Sequence, residues 1–159
     1  MKNVIISPHG DDEIIGCFEI LKNLNNEIEI VYGEDCEESK YVCYDLPNIK
    51  KYYLELYDYT LPPHLLNPSY TFYFPDPFTE KHHDHILWGH YGEKLLRIHN
   101  YNVIFYSINM EARYVHKVSN PQEKESWLNK YYKSKSSLWK MDHKYFLFEG
   151  YCKWIVKHD

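Results

Sequence analysis

Val4-Ile5-Ile6-Ser7-Pro8-His9-Gly10-Asp11-Asp12-Glu13-Ile14-Ile15 passes from one hydrophobic period to another around a short polar loop. The β-branched run Val4 to Ser7 ends at Pro8 and Gly10, as a buried parallel strand running into a loop does. A helix is expected from near Glu13, because Ile14, Ile15, Phe18, Leu21 and Leu24 recur at helical spacing up to the Asn25-Asn26 break. Ile28, Ile30 and Tyr32 then alternate with Glu27, Glu29 and Val31 before Gly33, which predicts a second strand. The first three elements make a βαβ unit.

Beyond it, Glu34 to Asn67 mixes acids and tyrosines with Pro47, Pro62 and Pro63 and keeps no sustained period; a helix is expected near Ile49 to Tyr57. Thr71 to Phe74 reads as a strand, broken by Pro75 and Pro77, that delivers the chain to His82-His83-Asp84-His85. A helix through Ile86, Leu87, Leu95, Leu96 and Ile98 follows, then a strand from Asn102 to Ile108. Ser119-Asn120-Pro121-Gln122 matches a helix start, either with Asn120 as cap and Pro121 at the first position or with Ser119 and Gln122 as a capping box. That helix is expected to run to about Lys133, and a last amphipathic helix to occupy Tyr145 to Val156. Strands alternating with helices predict a three-layer α/β/α fold with a mainly parallel, Rossmann-like sheet. The length of 159 residues suits a single domain, 1–159. In such a fold function concentrates beyond the carboxyl ends of the strands.

The formal charge is −5 and no run of Lys or Arg could track a phosphate backbone, which argues against nucleic acid as a partner. Arg97 and Arg113 are the only guanidinium groups, and Arg113 could clamp an anionic substrate group. Cys17, Cys36, Cys43 and Cys152 show no C-x-x-C spacing and too low a density for a disulfide scaffold, so a reducing compartment is expected. No apolar run approaches a signal-peptide core or a transmembrane segment, and the expected location is cytoplasmic. The 17 tyrosines suit half-buried packing for the most part, although such rings also line sugar grooves.

Two clusters carry the chemistry. Asp11, Asp12 and Glu13 beside His9 would repel one another unless something positive sat among them; alternatively the three acids cap the following helix and complement its dipole. The tetrad His82 to His85 could by itself be solvated surface. Together, His9, Asp12 and His85 supply two imidazoles and one carboxylate and leave a place for water, the composition of a catalytic zinc site. Iron(II) suits the same ligands.

These motifs resemble those of the PIG-L/LmbE-like N-acetylglucosamine de-N-acetylases, which carry (P/A)-H-P-D-D-E after the first strand and H-x-D-H further on. Here they stand as Pro8-His9-Gly10-Asp11-Asp12-Glu13 and His82-His83-Asp84-His85, the first continued by Ile14-Ile15-Gly16-Cys17. Lys124 to Ser134 resembles the family's K-x-x-x-L-x-x-Y-x-S helix, and Glu149-Gly150-Tyr151 its late E-x-aromatic element. Gly10 replaces the motif proline, Phe18-Glu19 replaces the usual glycine pair, and residues 34–67 lack the family's R-x-x-E helix. The resemblance implies that His9, Asp12 and His85 hold Zn2+ and that Asp11 is the general base. It further implies that His82 stabilises the oxyanion or protonates the leaving amine, oriented by Asp84. The expected activity is removal of an N-acetyl or N-acyl group from an amino sugar or glycoconjugate. A non-sugar N-acyl substrate, or ligand binding without catalysis, is the alternative. Glu34 and Asp35 are the candidates for substrate contact beyond the second strand.

Overall fold

The structure is a computed structural model that describes residues 2–33, 38–40, 46, 48–54, 59–108, 114–137 and 144–152. Its strands are β1 (Lys2–Ser7), β2 (Glu27–Tyr32), β3 (Ile49–Tyr53), β4 (Thr71–Pro75), β5 (Asn102–Ser107), β6 (Tyr114–Lys117) and β7 (Phe148–Cys152). Among the described residues the helices are α1 (Asp12–Leu21), α2 (His83–His99), α3 (Pro121–Tyr131) and the single turn α4 (Lys144–Leu147). All seven strands join one sheet in the order β3-β2-β1-β4-β5-β7-β6. β3, β2, β1, β4 and β5 are parallel to one another, and β7 runs antiparallel to β5 and β6. The fold class is therefore α/β with a mostly parallel mixed sheet.

The chain moves from β1 outward to β2 and β3, then returns to β4 on the other side of β1 and continues to β5. Connections leaving β1 and β4 thus depart in opposite directions, and a crevice opens beyond Ser7 and Pro75, the position where open α/β sheets bind ligands.

Strand periodicity sorts the core. Val4 and Ile6 pack with Phe72, Phe74, Trp88 and Leu95, whereas Ile5 packs with Ile14, Phe18, Leu21, Ile30 and Leu128. On α2, His85, Gly89 and Gly92 share one face through their i, i+4, i+7 spacing. A Cβ at Gly89 would lie 2.6 Å from the Pro75 carbonyl oxygen, and one at Gly92 would lie 2.6 Å from the Phe74 ring. The bare glycines let the helix seat on the end of β4, which is why His85 on the same face is buried.

α1 is kinked at Cys17 (φ −135°, ψ 26°). A continuous helix pairs the Glu19 N–H with the Ile15 carbonyl. Here Glu19 N–H donates to Glu149 Oε1 at 3.2 Å, and the Ile15 oxygen accepts from Lys124 Nζ at 2.6 Å. Lys124 and Glu149 are themselves 3.4 Å apart and wholly buried. A buried ion pair thus takes up the two backbone groups that the bend separates, an identifiable cause of a kink. The two C-terminal elements noted in the sequence meet at this point.

Several expectations are corrected. α1 stops at Leu21, and Leu24, expected on its apolar face, is 66% exposed. Ile49–Tyr53 is a strand, not a helix: Tyr53 stacks on Tyr32 at 5.3 Å, and the lysines of this edge strand face no core. Residues 55–57 of the expected helix lie outside the described residues. The C-terminal helix shrinks to α4, because Phe148–Cys152 pairs between β5 and β6. Its remainder, 153–156, is not described. β6 was not foreseen. The Asn120 cap holds over the capping box: Asn120 Oδ1 accepts the Glu123 N–H at 3.2 Å, with Pro121 at the helix start. Cys17 and Cys152 are both buried. Among the described residues no helix is long and apolar enough to cross a membrane.

Candidate metal centre

β1 ends at Ser7 and the next residues turn straight into α1, which places His9 and Asp12 at the mouth of the crevice. α2 brings His85 to the same point from the β4 side. His9 Nδ1 lies 3.0 Å from His85 Nε2. Asp12 Oδ2 lies 3.1 Å from that His85 nitrogen and 3.4 Å from His9 Nδ1. Bonds of about 2.0–2.1 Å to a tetrahedral metal separate ligand atoms by about 3.3 Å, so this triangle has the edge lengths of a three-ligand site. His9, Asp12 and His85 could hold a metal ion, and the donor set fits a divalent one.

The three consecutive acids point in three directions, and none serves as a plain helix cap. Asp11 is the N-cap residue but makes no side-chain capping bond. Its Oδ1 instead pairs with Lys135 Nζ at 3.1 Å. Asp12 Oδ2 accepts the His9 backbone N–H at 2.8 Å, which holds the ligand loop closed on itself. Glu13 is fully buried and accepts from Ser7 Oγ at 2.8 Å, the Asp11 N–H at 3.1 Å, Tyr32 OH at 3.1 Å and Tyr132 OH. That saturated carboxylate anchors the loop from beneath.

Backbone strain falls on Asp11, whose φ of 153° is one that residues other than glycine rarely adopt. Gly10, standing at the motif proline, has no positive φ. Such a conformation costs roughly 1–3 kcal/mol and persists where its surroundings over-determine it, here the Glu13 and Lys135 contacts. Burial and the adjacent Asp12 charge push the Asp11 carboxyl up to about 8, against the pull of Lys135.

Burial opposes ionisation of Asp12, yet the imidazoles of His85 and His9 hold it well below the usual carboxylate range. Burial likewise opposes the His85 charge, but Asp12 and Glu80 push its pKa up to about 10. Without a metal, Asp12 and Glu80 therefore favour the protonated form of the His85 imidazole.

His82 stands at the N-cap position of α2 without a side-chain capping bond and is exposed; its ring lies edge-on to His9, with centroids 4.9 Å apart. His9, His82 and Asp84 form a second group with ligand-type atoms within 4.8 Å of one another. Asp84 Oδ2 is 3.5 Å from His9 Nε2, and Asp84 Oδ1 accepts Tyr59 OH at 2.7 Å. The six expected site residues thus gather at one place. Three participants went unnoticed in the sequence: Glu80, Tyr59 and Lys135. Only Glu80 left a signal, as an acid five residues before a ligand histidine. Glu34, Asp35 and Arg113 lie outside the described residues. Arg97 pairs with Glu93 at 2.8 Å on the exposed side of α2.

No protein-family model, curated protein or solved structure matches the chain. The motifs and the geometry stand alone.

Proposed function

We propose that the chain is a metal-dependent hydrolase that removes an N-acetyl or N-acyl group from an amino sugar or its conjugate. The observation that carries the reading is the ligand triangle with Asp11 beside it, a non-ligand carboxylate on a strained backbone. A structural metal site has no use for that acid. Zn2+ is the expected ion, with Fe2+ as the substitute its ligands allow. The two core clusters on opposite sides of β1 and the strand order support a three-layer, Rossmann-like arrangement in one domain. The PIG-L/LmbE-like resemblance supplies the reaction class, and the cysteine pattern is the ground for a cytoplasmic setting.

When bound, the metal supplies Lewis-acid activation of water and of the amide carbonyl. Asp11 takes the proton of the attacking water. Burial and, after it, the Asp12 charge push the Asp11 carboxyl up to about 8; a cation held by His9, Asp12 and His85 would offset the Asp12 share and lower it toward the range where a base works best. His82, beside His9, donates to the developing oxyanion or to the leaving nitrogen; Asp84, expected to orient it, instead faces His9 Nε2 at 3.5 Å and accepts from Tyr59 OH at 2.7 Å, and so supports His9 rather than His82. Lys135 steadies Asp11 through its 3.1 Å contact with Oδ1.

A non-sugar N-acyl substrate is the second reading. It is favoured by β3, which stands in the region where the family's R-x-x-E recognition helix is expected. Zinc-loaded protein should release acetate or a free amine from a panel of N-acetylated sugars and small amides. Release from amides but not sugars selects the second reading, and no release from any member of a broad panel speaks against hydrolysis.

A further inference from the structure

Glu80 touches the metal centre but has no part in the hydrolytic scheme. It is buried in the connection from β4 to α2. Oε1 accepts the Ile108 backbone N–H at 2.7 Å, just past β5, and Oε2 lies 3.1 Å from His85 Nδ1. The opposite ring nitrogen, His85 Nε2, is the one that faces Asp12 and His9. A neutral imidazole carries a single ring proton, so a proton held on Nδ1 leaves the Nε2 lone pair bare. An ionised carboxylate only accepts hydrogen bonds, so the other tautomer would set two lone pairs against each other at 3.1 Å.

We propose that Glu80 is a positioning residue for the metal: it keeps the His85 ring proton on Nδ1, presents Nε2 as a ligand and ties the ring to the end of β5 through Ile108. The inference rests on the metal reading of the triad. Both imidazole ligands then have a carboxylate behind them, Glu80 for His85 and Asp84 for His9. The Glu80 contact is the shorter of the two, 3.1 Å against 3.5 Å, and is fully buried. Its other oxygen is fixed by backbone rather than by a tyrosine hydroxyl, so it is the more rigid support.

The test compares the full-length wild type with Glu80→Gln and Glu80→Ala. Glutamine keeps the shape but offers one acceptor oxygen for the two positions that Glu80 fills, so Ile108 or His85 must face an amide NH2. Zinc is titrated against a competing chelator, the His85 ring is observed by proton–nitrogen NMR in the zinc-loaded protein, and thermal melts without metal check folding. Affinity should fall about 10-fold to 100-fold in both variants, and the deshielded Nδ1 proton of His85 should shift or vanish in Glu80→Gln. Should Glu80→Ala not fold, the near-isosteric glutamine variant decides alone. Wild-type affinity with an unchanged ring signal overturns the proposal, as does weaker binding with an unchanged ring signal, which would make Glu80 merely structural. A wild type that binds no zinc removes the metal reading itself, a result separate from any difference among the variants.

Discussion

His9 Nδ1 and His85 Nε2 face each other at 3.0 Å across the crevice between β1 and β4, although 76 residues separate them in the chain. Two bare imidazole lone pairs cannot rest at that distance, so either one ring nitrogen carries a hydrogen or both share a cation. With Asp12 beside both, that place suits a proton or a metal ion. The purified protein should bind about one zinc per chain, as a three-ligand site does. Elemental analysis of His9→Ala and His85→Ala should show that zinc lost; full occupancy in both variants would put the metal elsewhere.

The neighbouring carboxylates should separate by mutation. Asp11→Asn keeps size and metal but cannot take a proton, and should lower turnover on the order of 100-fold to 10,000-fold. Asp12→Asn should weaken zinc binding itself, because a neutral group replaces a charged ligand. Turnover and zinc affinity measured on both variants decide the matter. Equal loss of zinc would make Asp11 a ligand.

The proton on metal-free His85 gives the site a pH dependence with opposite signs for folding and for zinc. Burial opposes the charge, but Asp12 and Glu80 raise the pKa from 6.5 to about 10. A folded-state value above the unfolded one adds stability that is fully present below about 6.5 and lost as pH rises through about 10. Zinc must displace that proton, so its affinity should rise over the same interval. Titration calorimetry near neutral pH, in buffers of different ionisation enthalpy, should show release of about one proton per zinc. A value near zero would mean that His85 is neutral before the metal arrives.

Lys124 and Glu149 should respond differently from an ordinary buried pair. Removing one partner, as in Lys124→Met, should cost about 3–5 kcal/mol. Apolar replacement of both partners is often neutral elsewhere, but here it also strips the Ile15 carbonyl and the Glu19 N–H of their partners. The double variant Lys124→Met/Glu149→Leu should therefore remain destabilised by roughly 2 kcal/mol or more. Chemical denaturation of the double variant at wild-type stability would show that the bend needs neither side chain.

β1 and β5 were legible as apolar runs and α3 by its Asn120-Pro121 start, whereas α2 was legible only as an apolar segment, since Ile98 is 65% exposed and Gly89 and Gly92 lie on the buried face; the two clusters were legible because consecutive acids and a histidine tetrad are costly without a purpose. β3 was not, since an edge strand carrying Lys50 and Lys51 shows little apolar alternation of its own. Nor was β7: Phe148 to Cys152 becomes a strand through the slot between β5 and β6, a long-range pairing that no local propensity records. Tyr59 and Lys135 act through partners 25 and 124 residues away, beyond the reach of any spacing rule.

The bend in α1 has a consequence for how the molecule comes into being. Ile15 waits for a side chain 109 residues further on, and Glu19 for one 130 residues further on. On a ribosome adding roughly 5–20 residues per second, the first helix is made several seconds before either partner emerges. Until then the nascent chain carries the ligand motif on a helix whose hydrogen-bond ladder is unfinished. A chain that stops short of Glu149 carries His9, Asp12 and His85 but leaves the Glu19 N–H at the bend without the partner it has in the finished fold.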